Sequence, residues 1–116
     1  MTELLLNTAR MLLSKQNFDI LQSIEDKELK IAIAKGIARI NYLKSLEGWD
    51  LDKRKEYINK VFEEVIEMLE TFNKAIELEY KKIEKLQRLR YGVAVKAFEL
   101  GAEKLQEIKA KVEARS

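Results

Sequence analysis

The stretch from Ile58 to Val112, INKVFEEVIEMLETFNKAIELEYKKIEKLQRLRYGVAVKAFELGAEKLQEIKAKV, carries one apolar stripe at helical spacing: Ile58, Phe62, Val65, Leu69, Phe72, Ile76, Tyr80, Ile83, Gln87, Tyr91, Ala94, Phe98, Gly101, Leu105, Ile108 and Val112. Its steps are all threes and fours and average about 3.6 residues, the period of a straight α-helix rather than the roughly 3.5 of a heptad coiled coil. Gln87 and Gly101 interrupt it. A run this long predicts a helix that presents one face to something else, and it contains no residue set that dictates a reaction.

Upstream of the stripe, Thr2 can cap a first helix whose apolar positions Leu5, Ala9 and Leu12 share a face, and Ser14 to Asn17 offers a polar break before Phe18. Ser23 followed three residues later by Asp26 resembles a capping box. The segment from there to Glu47 places Leu29, Ile33, Gly36, Ile40 and Leu43 at alternating steps of four and three, which predicts a second helix from about Ser23 to Glu47. Ala32 and Gly36, with Ala34 and Ala38 beside them, are small enough to let another helix approach closely. Gly48 is well placed as the residue that ends this helix, and Asp50 or Asp52 can cap the next one. Beyond Asp52 there is no proline and no cluster of Ser, Asn and Gly. Gly92, preceded by the cations Arg88 and Arg90, is the one place where a helix C-terminus fits, and a break there gives a compact four-helix bundle. Val93 and Ala94 follow without a capping residue, however, and the stripe keeps its phase through the glycine. The expected architecture is therefore all-α: a single domain over residues 1–116, a helical bundle or hairpin dominated by one very long C-terminal helix, continuous or kinked at Gly92. Such a helix spans roughly 90 Å at about 1.5 Å per residue, more than a small domain can cover.

Composition narrows the chemistry. The 116 residues are 47% apolar and 36% charged, enough for a modest core under a heavily charged surface. With no cysteine and no histidine, disulfides, thiolate zinc sites and the commonest physiological-pH base are all excluded. The clusters Leu4, Leu5, Leu6 and Met11, Leu12, Leu13 are separated by Asn7, Thr8 and Arg10, so they read neither as a signal-peptide core nor as a membrane span, and a cytoplasmic protein without a membrane partner is expected. Lys and Glu dominate the charges, proline is absent, and there are four glutamines and five asparagines, a composition of the kind heat-adapted proteins carry.

Two charge constellations stand out. Glu63, Glu64 and Glu67 spell E-E-x-x-E, with Glu70 a turn further on, and this resembles the magnesium-holding carboxylates of all-α nucleotide pyrophosphohydrolases of the MazG type. Those enzymes add an E-x-x-D pair on a neighbouring helix, whereas Asp19, Asp26, Asp50 and Asp52 stand in no such setting, so a solvated acidic face is expected and no metal or cofactor. Residues 81–96 hold Lys81, Lys82, Lys85, Arg88, Arg90 and Lys96 against Glu84 alone, in a chain of net charge +2. On a continuous helix much of this cluster projects on one side and can follow a phosphate backbone. Equally, Glu56–Lys60, Glu70–Lys74, Glu77–Lys81 and Glu84–Arg88 are i,i+4 pairs in the favourable order, the ordinary dressing of an exposed helix. Trp49 reads as a residue that folds back to seal the turn after Gly48.

Together these features predict a non-enzymatic structural, scaffold or adaptor subunit. It is expected to form a homo-oligomer or to dock into a larger protein assembly through the apolar face, with Ala94, Phe98, Gly101, Leu105, Ile108 and Val112 as the candidate interface. The alternative is a nucleic-acid-binding accessory subunit of a nucleoprotein complex that uses the basic 81–96 segment.

Overall fold

The computed structural model describes residues 2–78, Gly92, 94–101, Glu103, Gln106, Glu107, Ala110 and Ala114; at 72, 73 and 75–78 the backbone alone is described. The described residues are helical apart from short joints. Helix α1 spans Thr2–Leu12, α2 Lys15–Ser23, α3 Lys27–Leu46 and α4 Leu51–Leu78. Residues 94–100 form a further helical segment.

Local chemistry sets each boundary. Ser14 has extended backbone and its side chain accepts from the Asn17 N–H at 3.2 Å, which starts α2 two residues after α1 ends. The polar stretch expected as a break is thus the first turn of a helix. Asp26 caps α3, accepting from Glu28 and Leu29 at 3.1 and 3.2 Å, so the second long helix begins at Lys27 and Ser23 closes α2 instead of opening α3. At the other end Gly48 takes φ +80, the Trp49 N–H reaches the Lys44 carbonyl and the Gly48 N–H that of Ser45, both at 3.2 Å. These two bonds are a Schellman motif, which requires a left-handed residue that glycine adopts without strain. Asp50 then accepts from the Lys53 N–H at 2.8 Å and starts α4.

One polar group ties three helices together. The Asn59 side chain on α4 accepts from the Ser14 backbone N–H and from Asn17 Nδ2, both at 2.8 Å, and donates to the carbonyls of Leu12 and Lys55 at 3.1 and 2.8 Å. All four hydrogen-bonding positions of the amide are filled, and with them the Ser14 N–H and the Leu12 carbonyl at the α1–α2 joint are satisfied. Asn17, only 3% exposed, is the buried polar residue of this joint.

Apolar residues from every helix form one core. Ala9 and Leu12 of α1, Phe18 and Leu21 of α2, and Leu29, Ile33, Ile37 and Ile40 of α3 pack with Ile58, Val61, Phe62, Val65, Met68 and Leu69 of α4. The stripe residues Ile58, Phe62, Val65 and Leu69 are buried as the spacing predicts, and Val61 and Met68 widen the face. Leu43 is half-buried, and the side chains of Phe72 and Ile76 lie outside the described residues.

The same core contains Ala94, Ala97 and Phe98 at 0% exposure, and this corrects the very long C-terminal helix. A Cβ placed on Gly36 would lie 2.6 Å from the Cβ of Phe98, and one placed on Gly101 would run into the Tyr57 hydroxyl. On a straight helix Tyr57 and Gly101 would stand about 66 Å apart, whereas the longest dimension of the molecule is 44 Å. The 94–101 segment therefore packs back against α3 and α4 instead of extending α4 along its axis; residues 79–91 lie outside the described residues. The physical reason is burial: a lone rod leaves its seam in water, while doubling back covers Phe98, worth about 2–3 kcal/mol for a side chain of that size. Gly92 is not the stop. Its backbone is helical without positive φ, and nothing lies within 4 Å of where its Cβ would be. Gly101 is the stop, with φ +84 and its N–H donating to the Ala97 carbonyl at 2.9 Å.

The two helical glycines should therefore respond oppositely to alanine. Gly36→Ala should lower stability by about 1–2 kcal/mol, because overpacking against Phe98 outweighs the gain in helix propensity. Gly92→Ala should raise it by about 0.5–1 kcal/mol, since it only removes backbone freedom. Urea denaturation of the two variants checks both signs.

Candidate functional site

The end of the fold where α3 turns into α4 gathers the side chains with most capacity for recognition. Tyr42 and Leu46, four residues apart and hence on one side of α3, are 55% and 67% exposed; Leu51, at the start of α4, is 41% exposed, and Leu100, which borders the same end, 46%. Trp49, half-buried between them in sequence, meets Tyr57 edge to face with ring centroids 5.3 Å apart and planes at 89°. The Lys44 ammonium lies 4.5 Å from the Trp49 centroid and 4.7 Å from that of Tyr57, and the Lys53 ammonium lies 5.1 Å from that of Trp49. Glu47 accepts from Lys44 at 3.1 Å and completes the cluster. The Schellman turn is what brings these groups together, because it places Trp49 directly over Lys44, whose carbonyl its own N–H binds.

Beside this cluster lies a hollow of about 140 Å³ lined by Ile40, Leu43, Lys44, Glu47, Tyr57 and residues 98–101. Apolar Ile40, Leu43, Phe98 and Leu100 share this lining with the charged Lys44, Glu47 and Glu99. A larger open groove of about 480 Å³ runs where the α2–α3 joint faces α4, lined by Ile20, Ile24, Leu29, Ile66 and Leu69 with Glu25, Asp26 and Glu70. Asp26 is engaged there in capping α3.

Of the residues singled out from sequence, Ala94 and Phe98 are buried in the core of their own chain, as is Gly101 against Tyr57. Leu105, Ile108 and Val112 lie outside the described residues, while Glu103, Gln106, Glu107, Ala110 and Ala114 are helical and exposed. Lys96 is exposed on the 94–100 segment; Lys81, Lys82, Lys85, Arg88 and Arg90 lie outside the described residues, as do Glu77 and Glu84 at least in their side chains. On α4, Glu63, Glu67 and Glu70 are exposed and Glu64 is half-buried, and among the described residues no group of three or more carboxylates gathers to hold a metal ion. No helix among the described residues is long and apolar enough to cross a membrane.

The exposed apolar residues at the α3–α4 end were not among the sequence candidates. A signal for them exists: Tyr42 and Leu46 fall off the Leu29, Ile33, Gly36, Ile40, Leu43 seam, and Leu51 follows the cap Asp50 at once. Comparison with protein-family models, curated proteins and solved structures gives no match for this chain.

The lysine held between the two rings should be measurable. Lys44→Met keeps the aliphatic stem and removes the ammonium, so stability should fall by about 1 kcal/mol. Because Trp49 is the one tryptophan in the chain, its emission should shift in the same variant, and steady-state fluorescence of the folded protein reads the change without interference.

Proposed function

We propose that this protein is a non-enzymatic structural or adaptor subunit, acting in the cytoplasm, that associates with itself or with a larger assembly through helical faces. The observation that supports it best is the exposure of the large side chains Tyr42, Leu46, Leu51 and Leu100. Large apolar and aromatic side chains left in water are the composition of a contact surface, where aromatic anchors carry most of the binding energy and charged groups form the rim. Leu105, Ile108 and Val112 remain part of this proposal as a second apolar stretch.

The alternative, a nucleic-acid-binding accessory subunit using Lys81, Lys82, Lys85, Arg88, Arg90 and Lys96, rests on local charge. It makes a different demand: binding to an oligonucleotide that falls steeply with salt, because each neutralised phosphate releases counterion.

Light scattering coupled to size-exclusion chromatography separates the two. The unmodified protein should be larger than its monomer mass of 13.6 kDa, and Leu46→Glu together with Leu51→Glu should reduce that size while changing stability by less than about 0.5 kcal/mol, as exposed substitutions do. A monomer at every concentration, with salt-sensitive oligonucleotide binding that Lys81→Glu, Lys85→Glu and Arg88→Glu abolish, would favour the alternative.

A further inference from the structure

The open groove of about 480 Å³ between the α2–α3 joint and α4 combines apolar surface with charge of a single sign. Its apolar surface is left incomplete by the fold. Ile20 and Ile24, from α2 and its C-cap, and Ile66 of α4 pack on the core yet are only partly buried, and Leu29 and Leu69 complete the apolar lining. The charged lining is Glu25, Asp26 and Glu70, and among the described residues no lysine or arginine joins them. That is far from the average of a chain whose net charge is +2. Asp26 is committed to capping α3. Glu25 and Glu70 are exposed, and no ion pair among the described residues involves either. Lys30, beside the joint, donates instead to the Gln22 carbonyl at 3.2 Å. On α4 the exposed Glu63 extends the acidic side: Glu63, Ile66 and Glu70 follow at steps of three and four, so they share one face with a carboxylate on either side of the isoleucine.

An incompletely covered apolar strip flanked by carboxylates without counter-charges fits one kind of occupant. We propose that the groove docks a basic amphipathic helix of another protein. An apolar side chain of that helix covers Ile24 and Ile66, and lysines or arginines three and four positions to either side of it meet the carboxylates of Glu63, Glu70 and Glu25. Apolar contact supplies the affinity, because exposed ion pairs contribute little by themselves, while the charges select the sign and register of the partner. Docking of this kind rests on the adaptor role proposed for the protein and adds the chemistry of one partner and the place where it binds. It does not use Tyr42, Leu46, Leu51 or Leu100.

The test uses the full chain with isotopically labelled isoleucine methyls, titrated with an alanine-based helical peptide in which each leucine has lysines three and four positions away. The methyl resonances of Ile20, Ile24 and Ile66 should shift, and the affinity should fall as salt is added. Glu25→Lys together with Glu70→Lys should weaken binding of this peptide about tenfold, and should create binding for the matching peptide that carries glutamate in place of lysine. Unchanged Ile33 and Ile37 methyl resonances report that the core of the variant is intact. No shift at Ile20, Ile24 and Ile66, or equal affinity of the unmodified protein for the two peptides, would overturn the groove as a site and leave the oligomer test of the exposed residues untouched. Binding that survives the charge reversal but is lost on Leu46→Glu with Leu51→Glu would also overturn it, by placing the contact on the surface proposed above.

Discussion

The packing of Phe98 over Gly36 is the constraint on which the rest of this structure depends. A phenyl ring can settle so close to a helix backbone only where no Cβ intervenes, and α3 offers that at one position, between Ile33 and Ile37, both fully buried. Once the ring is seated, the helix that carries it must lie along α3 and α4, Gly101 must come to rest against Tyr57, and the chain must have turned around beforehand. The left-handed glycines at either side of this contact, Gly48 and Gly101, end their helices at the same end of the fold. The ring pair of Trp49 and Tyr57, with Lys44 between, sits where those two helix ends meet.

Much of the framework was legible in the sequence, because the features that encode it act locally. Gly48 as a helix stop, an aspartate at 50 or 52 as the next cap, the close-approach role of Gly36 and the core positions Ile33, Ile40, Ile58, Phe62, Val65 and Leu69 all follow from capping chemistry and helical period, and the structure selects Asp50. Helix α2 was not legible, since nine residues are too few for a period to declare itself. Val61 and Met68 escaped for another reason: α4 is covered by more than one neighbour, which makes its buried arc wider than a single seam.

The docking of the 94–101 segment on α3 and α4 was hidden on physical grounds. An apolar stripe reports which side of a helix must be covered and carries no information about what covers it. A rod with a partner and a hairpin with itself therefore share one pattern. The exposure of Tyr42, Leu46 and Leu51 was hidden similarly, because it becomes visible only when the core positions have been assigned to other residues.

The direct test of the central contact is a nuclear Overhauser measurement between the ring protons of Phe98 and the Hα protons of Gly36, made on isotopically labelled protein at low concentration, where one chain must supply both. Strong cross-peaks are expected, given that Phe98 ring carbons come within 2.9 Å of where a Gly36 Cβ would stand. Their absence, with Phe98 resonances at the shifts of a solvent-exposed ring, would contradict this packing and restore the extended helix.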